Sequence, residues 1–222
     1  NREQIRQAAK AFGAYQRATT GLEAEQLVET IPGFLSMAAY LRQFDQVLAT
    51  VTQAERAEAM PWIGLAQSHR QWPSALMQPN AVIHGDCKVN NLLFDAQGER
   101  VLSVIDLDNN MNGHWAWDFG DLVRSVAFSR GGVDAADYRA CVQGFLSGRG
   151  SVPLGNEHLI AAPSYLAFML GLRFLTDHLS GDRYFSVPQH GENLQRAKEQ
   201  FALFQSFERS RASMERIVSE CT

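Results

Sequence analysis

The chain has 222 residues, of which 45% are hydrophobic and 20% charged, so it is long enough to bury a substantial core as an ordinary globular protein. Its formal net charge is -4, and lysine and arginine form no block, which argues against a nucleic acid or an anionic membrane surface as a partner. We expect a small-molecule ligand instead, and the composition leaves the oligomeric state open.

The first eighty residues carry the apolar spacing of amphipathic helices. Apolar side chains recur at helical intervals from Ile5 to Tyr15, and again from about Gly33 to Val51. The sequence therefore predicts a helical start to the chain.

Three short apolar runs follow, and they are typical of strands. The runs "AVIHGD", "NLLFDA" and "VLSVIDLD" are rich in Val, Ile and Leu, and "DAQGER" places a glycine-containing turn between the second and the third. The sequence therefore predicts a small sheet that contains a hairpin.

Helical spacing returns from Trp117 onward. The predicted helices are "DFGDLVRSVAFS", "DAADYRACVQGFLS", a long segment from Asn156 to Leu179 and a last one from about Asn193 to Ile217. The longest apolar run, "LIAAPSYLAFMLGL", has about 14 residues, fewer than the roughly 18 to 20 that cross a bilayer, so we expect no membrane span. No loop is long enough to link two domains. The layout predicts a single domain, residues 1–222, that is mainly α with a small antiparallel β-sheet (α+β).

The three cysteines, Cys87, Cys141 and Cys221, lie far apart and form no CxxC pair. Their spacing suggests neither a disulfide framework nor a zinc site, and it fits the reducing cytoplasm. The chain begins at Asn1 inside a helical pattern, so we expect it to be a piece of a longer protein.

Polar residues concentrate in "VIHGDCKVNNLLFD", residues 82–95. Asp86 is followed five positions later by Asn91. Fifteen residues further on, Asp106 ends the apolar run "VLSVI". Kinases use this order: an Asp accepts the proton of the attacking hydroxyl, an Asn five residues later holds Mg²⁺, and an Asp after the following hairpin bridges the metal to the phosphates. Amide and carboxylate oxygens suit Mg²⁺. Lys88 can place its ammonium on the transferred phosphoryl group.

Each of these residues also has a structural interpretation when it is taken alone. An Asp at a strand end is typical of turns, and neighbouring Asn side chains commonly bond to local backbone. The ordered set, with His84 in front and a hairpin inside it, favours a functional site. We expect His84 to hold the loop backbone and Cys87 only to pack. If the third strand continues, Asp108 shares a face with Asp106 and can assist metal or substrate binding.

The segments "HGDCKVNN", "VIDLD" and "WDFGDLVRS" resemble the aminoglycoside phosphotransferase and choline kinase-like superfamily. They are most similar to its N-acetylhexosamine 1-kinase branch, as are "TIPGF", "LRFLTDHLSGDRYF" and "ENLQRAKEQFALFQ". The resemblance implies the carboxy-terminal lobe of a protein-kinase-like fold, with a catalytic loop at 84–91 and a metal-binding segment at 105–108. It also implies that Asp86 is the catalytic base, that Asn91 and Asp106 bind Mg²⁺, and that ATP phosphorylates a sugar hydroxyl.

The chain departs from that family's pattern in several places. It has no GxGxxG, and its only lysines are Lys10, Lys88 and Lys198, none of them on a predicted strand. We therefore expect the amino-terminal nucleotide lobe to be absent from this chain, and the chain alone to be inactive. The branch pattern places a His where this chain has Leu35 and a Thr where it has Asn109.

Several polar or aromatic residues within the helices are further candidates. Arg124 and Arg173, the latter with Asp177, interrupt apolar stretches; a structural ion pair is favoured for both over substrate contact, which stays open. Asp118 and Asp121 are expected to cap the start of a helix. The four tryptophans are expected to pack in the core or at the rim rather than to stack on a sugar, namely Trp62, Trp72, Trp115 and Trp117.

Two other classes of function remain open. One is a metal-dependent phosphoester hydrolase with two metals between Asp86, Asp106 and Asp108, although the order D-x-K-x-x-N is then unexplained. The other is a non-catalytic binding module that keeps a kinase-like lobe.

Overall fold

The computed structural model describes residues 1–151 and 155–222. Helices dominate these residues and the strands are short, as the sequence predicts. The α-helices are α1 (Arg2–Ala18), α2 (Met37–Thr50), α3 (Gln53–Arg56), α4 (Met60–Ser68), α5 (Trp115–Ser129), α6 (Ala135–Arg149), α7 (Asn156–Leu179) and α8 (Glu192–Cys221), and the strands are β1 (Ala81–Ile83), β2 (Leu92–Phe94), β3 (Val101–Val104) and β4 (Met111–Gly113).

The strands form two separate antiparallel pairs. β2 and β3 make the predicted hairpin, with Leu92 opposite Val104. β1 pairs with β4 instead, with Ile83 opposite Met111. The sequence pattern does not predict β4, because three residues are too few to show the alternation of a strand.

The core is helical, and α7 lies within it. Its large buried side chain Phe168 packs with Phe201 and Phe204 of α8, and Tyr165 packs with Trp72 and Trp117. By length and composition α7 could cross a membrane. The apolar run of about 14 residues in the sequence therefore underestimated the length of this apolar helix. However, 78% of its most apolar 18-residue stretch is buried inside the protein, which is the behaviour of a core helix.

Helices α1 and α6 approach each other at a glycine seam, formed by Gly13 on α1 and by Gly144 and Gly148 on α6. A Cβ atom on Gly144 would lie 2.2 Å from the carbonyl oxygen of Arg6, and one on Gly148 would lie 2.0 Å from that of Lys10. Only glycine allows backbones to come this close. The seam fixes α1 against the second half of the chain.

Candidate active site

The predicted catalytic loop, residues 84–91, connects β1 to β2 and contains Asp86. The Asp86 carboxylate accepts hydrogen bonds from the Lys88 ammonium at 2.8 Å and from the Asn91 amide nitrogen at 3.0 Å. The same amide nitrogen donates to the Asp86 carbonyl oxygen at 2.8 Å. The structure therefore brings together three of the residues that the sequence predicts for the site.

Asp106 follows β3 and lies beside the same loop. The backbone N–H of Ile105 donates to the carbonyl oxygen of Asn91 at 3.0 Å, and the carbonyl oxygen of Ile105 meets Nε2 of His84 at 2.9 Å. Asp106 itself has φ +64°, in the left-handed region that few residues other than glycine adopt. Strained backbone of this kind is typical of functional sites.

The loop backbone is anchored from helix α5 by Asp118. Its two carboxylate oxygens accept the N–H groups of His84 and Gly85, each at 3.0 Å, and one oxygen also accepts from Gln16 at 2.9 Å. Burial raises the pKa of Asp118 above its ordinary value, while the bonds from Gln16, His84 and Gly85 oppose that rise. Asp118 has the expected structural role and lies in the first turn of α5, but it does not cap the helix, because α5 begins at Trp115 and its cap is His114.

The expectations for His84 and Cys87 are confirmed. The His84 ring contacts Ile105 and accepts from the N–H of Asp86 at 3.3 Å, so it holds the loop backbone. Cys87 is fully buried, and burial raises the pKa of its thiol. A thiol in that state packs and is not a nucleophile.

A cleft of about 300 Å³ opens beside the catalytic loop. Asp86 and Lys88 line one part of it, and Arg124 and Arg173 line another. Its remaining lining is largely apolar or aromatic and includes Phe34, Leu35, Leu166, Met169, Leu170, Phe174, Tyr184 and Phe185. A mainly apolar wall with a few polar groups is the usual build of a small-molecule site.

Arg124 forms the structural ion pair that the sequence favours. Its guanidinium lies 2.7 Å from the Oδ1 atom of Asp121, and both side chains are buried. The Oδ2 atom of Asp121 is buried as well, and among the described residues no donor reaches it. Asp121 thus leaves one acceptor unsatisfied in the wall of the cleft.

Arg173 does not pair with Asp177, contrary to the favoured interpretation. Asp177 instead accepts the backbone N–H groups of residues 183–185 and the side chain of Asn193. Within the described part of the chain no carboxylate lies within 4.0 Å of the Arg173 guanidinium. That group lies over four aromatic rings, at 4.9 to 5.6 Å from the centroids of Phe34, Tyr40, Tyr184 and Phe185. Its N–H donors therefore remain available to a ligand.

Asp108 does not share a strand face with Asp106. Strand β3 ends at Val104, and residues 107–109 form a single turn of 3₁₀-helix, so the alternation on which that expectation depended is broken. The Asp108 side chain is exposed and is not part of the cleft lining, whereas the neighbouring Asn109 is. A substrate contact from Asp108 stays a prediction without geometric support.

The donor set of the loop fits Mg²⁺. Because the Asn91 amide nitrogen is engaged with Asp86, the amide oxygen is the atom left for a metal, and among the described residues it makes no hydrogen bond. The exposed Asp106 carboxylate is likewise without a hydrogen bond in the described part of the chain. An amide oxygen and a carboxylate are the hard ligands that Mg²⁺ prefers.

The tryptophans pack as predicted. Trp115 and Trp117 are buried, Trp62 stacks on Phe201 and Trp72 meets Tyr165 edge-on. None of the four lines the cleft beside Asp86.

Comparisons with known proteins agree with this geometry. The sequence pattern of the phosphotransferase enzyme family matches residues 1–152. The fold is similar to that of a solved structure, the GDP complex of a point mutant of aminoglycoside 2′-phosphotransferase-IIIa, with a TM-score of 0.51 and 13% sequence identity over 95% of this chain. The match covers 63% of that longer chain. The likeness supports the carboxy-terminal lobe of a kinase-like fold.

Proposed function

Because the chain belongs to the phosphotransferase enzyme family, we propose that it provides the catalytic loop and acceptor site of an ATP-dependent small-molecule kinase. The acceptor is a sugar of the N-acetylhexosamine class, phosphorylated on its anomeric hydroxyl in the cytoplasm. The observation that carries the proposal is the position of Asp86, which is oriented by Lys88 and Asn91 and lines a cleft large enough for a small molecule.

In this proposal Asp86 is the catalytic base. Its carboxylate accepts the proton of the attacking hydroxyl and orients that oxygen in line with the phosphoryl group. Lys88, next to it, offsets negative charge on the transferred group. Most of the rate enhancement in such reactions comes from positioning and charge stabilisation rather than from covalent chemistry.

Asn91 and Asp106 are the proposed ligands of Mg²⁺. When it is bound, the ion would neutralise negative charge on the nucleotide phosphates. The strained backbone of Asp106 and the bond between Ile105 and Asn91 hold these two side chains on adjoining segments of the chain.

The cleft supports an acceptor that carries hydroxyl groups. A ligand hydroxyl can accept from the guanidinium of Arg173, which has no carboxylate partner among the described residues, and Asp121 lies in the same lining. A ligand whose oxygen atoms accept from Arg173 is therefore favoured over an apolar one. Arg124, already paired with Asp121, contributes mainly by orienting that carboxylate.

The identity of the sugar is the least constrained part of the proposal. Leu35 and Asn109, the two positions that depart from the N-acetylhexosamine 1-kinase pattern, both line the cleft. The acceptor panel should therefore include neutral hexoses and amino sugars beside N-acetylhexosamines.

The hydrolase alternative finds no support in the geometry. Among the described residues, the carboxylates of Asp86, Asp106 and Asp108 do not form a cluster within 4.8 Å of one another. Two catalytic metals that share ligands lie roughly 3.5 to 4 Å apart and need a denser donor set.

The test is an acceptor-dependent assay of the full-length protein with ATP, Mg²⁺ and the sugar panel. Formation of ADP and a sugar phosphate only in the presence of one sugar class supports the proposal. Sugar-independent cleavage of phosphoesters would support the hydrolase instead, and binding of nucleotide and sugar without turnover would support a non-catalytic module.

A further inference from the structure

The segment between α7 and α8 collects two histidines and an aspartate. His178 lies in the last turn of α7, Asp182 lies in the turn that follows, and His190 directly precedes the cap of α8. One ligand atom from each of the three side chains lies within 4.8 Å of the other two. This cluster is separate from the cleft beside Asp86, which it does not line.

The buried member of the cluster is His178. It is only 5% exposed, and its Nδ1 atom has no hydrogen-bond partner among the described residues. Its Nε2 atom lies 3.7 Å from a carboxylate oxygen of Glu58, outside hydrogen-bond range. Buried polar atoms in folded proteins nearly always have a partner, so an orphaned ring nitrogen indicates an unfilled interaction.

Asp182 and His190 complete the set in different ways. The Oδ1 atom of Asp182 is fixed by Asn193 at 2.9 Å, while its Oδ2 atom faces Nδ1 of His190 at 2.7 Å. Asp182 is also held at φ +57°, in the left-handed region. The His190 side chain is 73% exposed, so an ion from solvent can reach the cluster.

Open space and charge surround the cluster. A cavity of about 510 Å³ is lined by both histidines and also by Arg183. The cavity leaves room for water on a bound ion.

We propose that His178, Asp182 and His190 form a binding site for a divalent transition-metal ion of the zinc class. Two imidazole nitrogens and one carboxylate, with a position left for water, are a donor set that Zn²⁺ and its neighbours accept. Mg²⁺, which prefers oxygen ligands, does not compete well for it.

A metal at this position would join the end of α7 to the start of α8. The segment that it would brace carries Tyr184 and Phe185, which line the cleft and surround Arg173. The site is thus structural, and it does not depend on the proposed kinase function.

The test is a calorimetric titration of the tag-free, metal-stripped 222-residue chain with zinc chloride. Thermal unfolding is then measured with and without zinc. We expect one Zn²⁺ per chain and a rise in melting temperature. Because His190 is at the surface, His190→Ala should fold normally yet lose at least about tenfold in zinc affinity, as loss of a metal-site group does. Asp182→Asn should weaken binding in the same direction.

The matched control is His69→Ala, which removes another exposed histidine outside the cluster. It should bind zinc as the parent chain does. Absence of zinc binding by the parent chain would overturn the proposal. So would equal affinity and equal thermal stabilisation in the parent chain and in His190→Ala.

Discussion

Asp118 holds the catalytic loop by accepting the N–H groups of His84 and Gly85, so the orientation of Asp86 depends on a side chain from α5. Sequence reasoning identified the residues of the loop because their spacing is local. It missed this role for Asp118, because contacts across 33 and 34 positions leave no periodic signal. A buried carboxylate between the apolar residues Trp117 and Phe119 was the available clue.

Asp86→Asn should reduce the turnover of the full-length protein by roughly 10² to 10⁴, the usual range for loss of a general base. The amide keeps the size of the side chain but cannot accept the proton. Steady-state kinetics with the accepted sugar should show little change in sugar affinity. Near-normal turnover with a raised Mg²⁺ requirement would instead make Asp86 a metal ligand.

Asp106→Asn should show a different defect. Asn tolerates the left-handed backbone of position 106 as Asp does, so the substitution removes charge without adding strain. We expect weaker binding of the Mg²⁺-nucleotide complex and partial recovery of turnover at high Mg²⁺. A loss that no Mg²⁺ concentration relieves would contradict the assignment of Asp106 as a ligand.

Gly85→Ala should impair the loop more than its backbone angle alone explains. Gly85 and Gly131 have the same φ of +78°, but a Cβ on Gly85 would lie 2.8 Å from the carbonyl oxygen of Asn109, whereas one on Gly131 meets nothing within 4 Å. Gly131→Ala should cost about 1 to 2 kcal/mol of unfolding free energy. Gly85→Ala should cost more and also lower turnover. If urea denaturation showed equal losses of unfolding free energy for Gly85→Ala and Gly131→Ala, the loop would accommodate the added Cβ atom without further destabilisation.

At the scale of elements, helices were easier to predict than strands. The segment from Asn156 to Leu179 matches α7 to the residue, because a long apolar helix repeats its signal many times. The pairing of β1 with β4 joins strands of three residues that are separated by the hairpin, and no local pattern encodes such a partner. The end of β3 at Val104 was missed for a different reason: residues 105–108 keep the apolar and polar alternation of a strand although the chain turns there.

The start of α5 should make stability depend on pH. His114 caps this helix: its Nδ1 atom accepts from the N–H of Ala116 at 3.1 Å. Burial, followed by the nearby His158 and Arg149, lowers its pKa to about 4 from the ordinary 6.5. The pKa of His114 is lower in the folded state than in the unfolded state. The contribution of neutral His114 to the free energy of unfolding is therefore fully present above about pH 6.5 and is lost as the pH falls through 4. The loss between pH 7 and 4 should be about 3 kcal/mol.

His114→Asn tests this dependence. Asn caps helices well and does not titrate, so urea unfolding between pH 7 and 4 should show a flatter stability profile in the variant. His69→Asn, which changes an exposed histidine, should keep the slope of the parent chain. An unchanged slope in His114→Asn would mean that other groups cause the acid sensitivity.

At the scale of the whole molecule, we expect the 222-residue chain to bind ATP weakly and to turn over little. Its only lysines outside the catalytic loop, Lys10 and Lys198, lie on α1 and α8, so the described residues hold no strand-borne lysine for the phosphates. The chain also spans 63% of the aminoglycoside phosphotransferase structure that it resembles. Calorimetry with ATP and Mg²⁺ that gave micromolar affinity for this chain would contradict the expectation.

The glycine seam between α1 and α6 has a consequence for the order in which the molecule assembles. Arg2 of α1 donates to Asp137 at the start of α6, 135 positions along the chain, whereas α7 and α8 are neighbours in sequence. Contacts between distant segments form slowly, because a long loop must close first. We expect the helical hairpin of α7 and α8 to form early and the seam to close late.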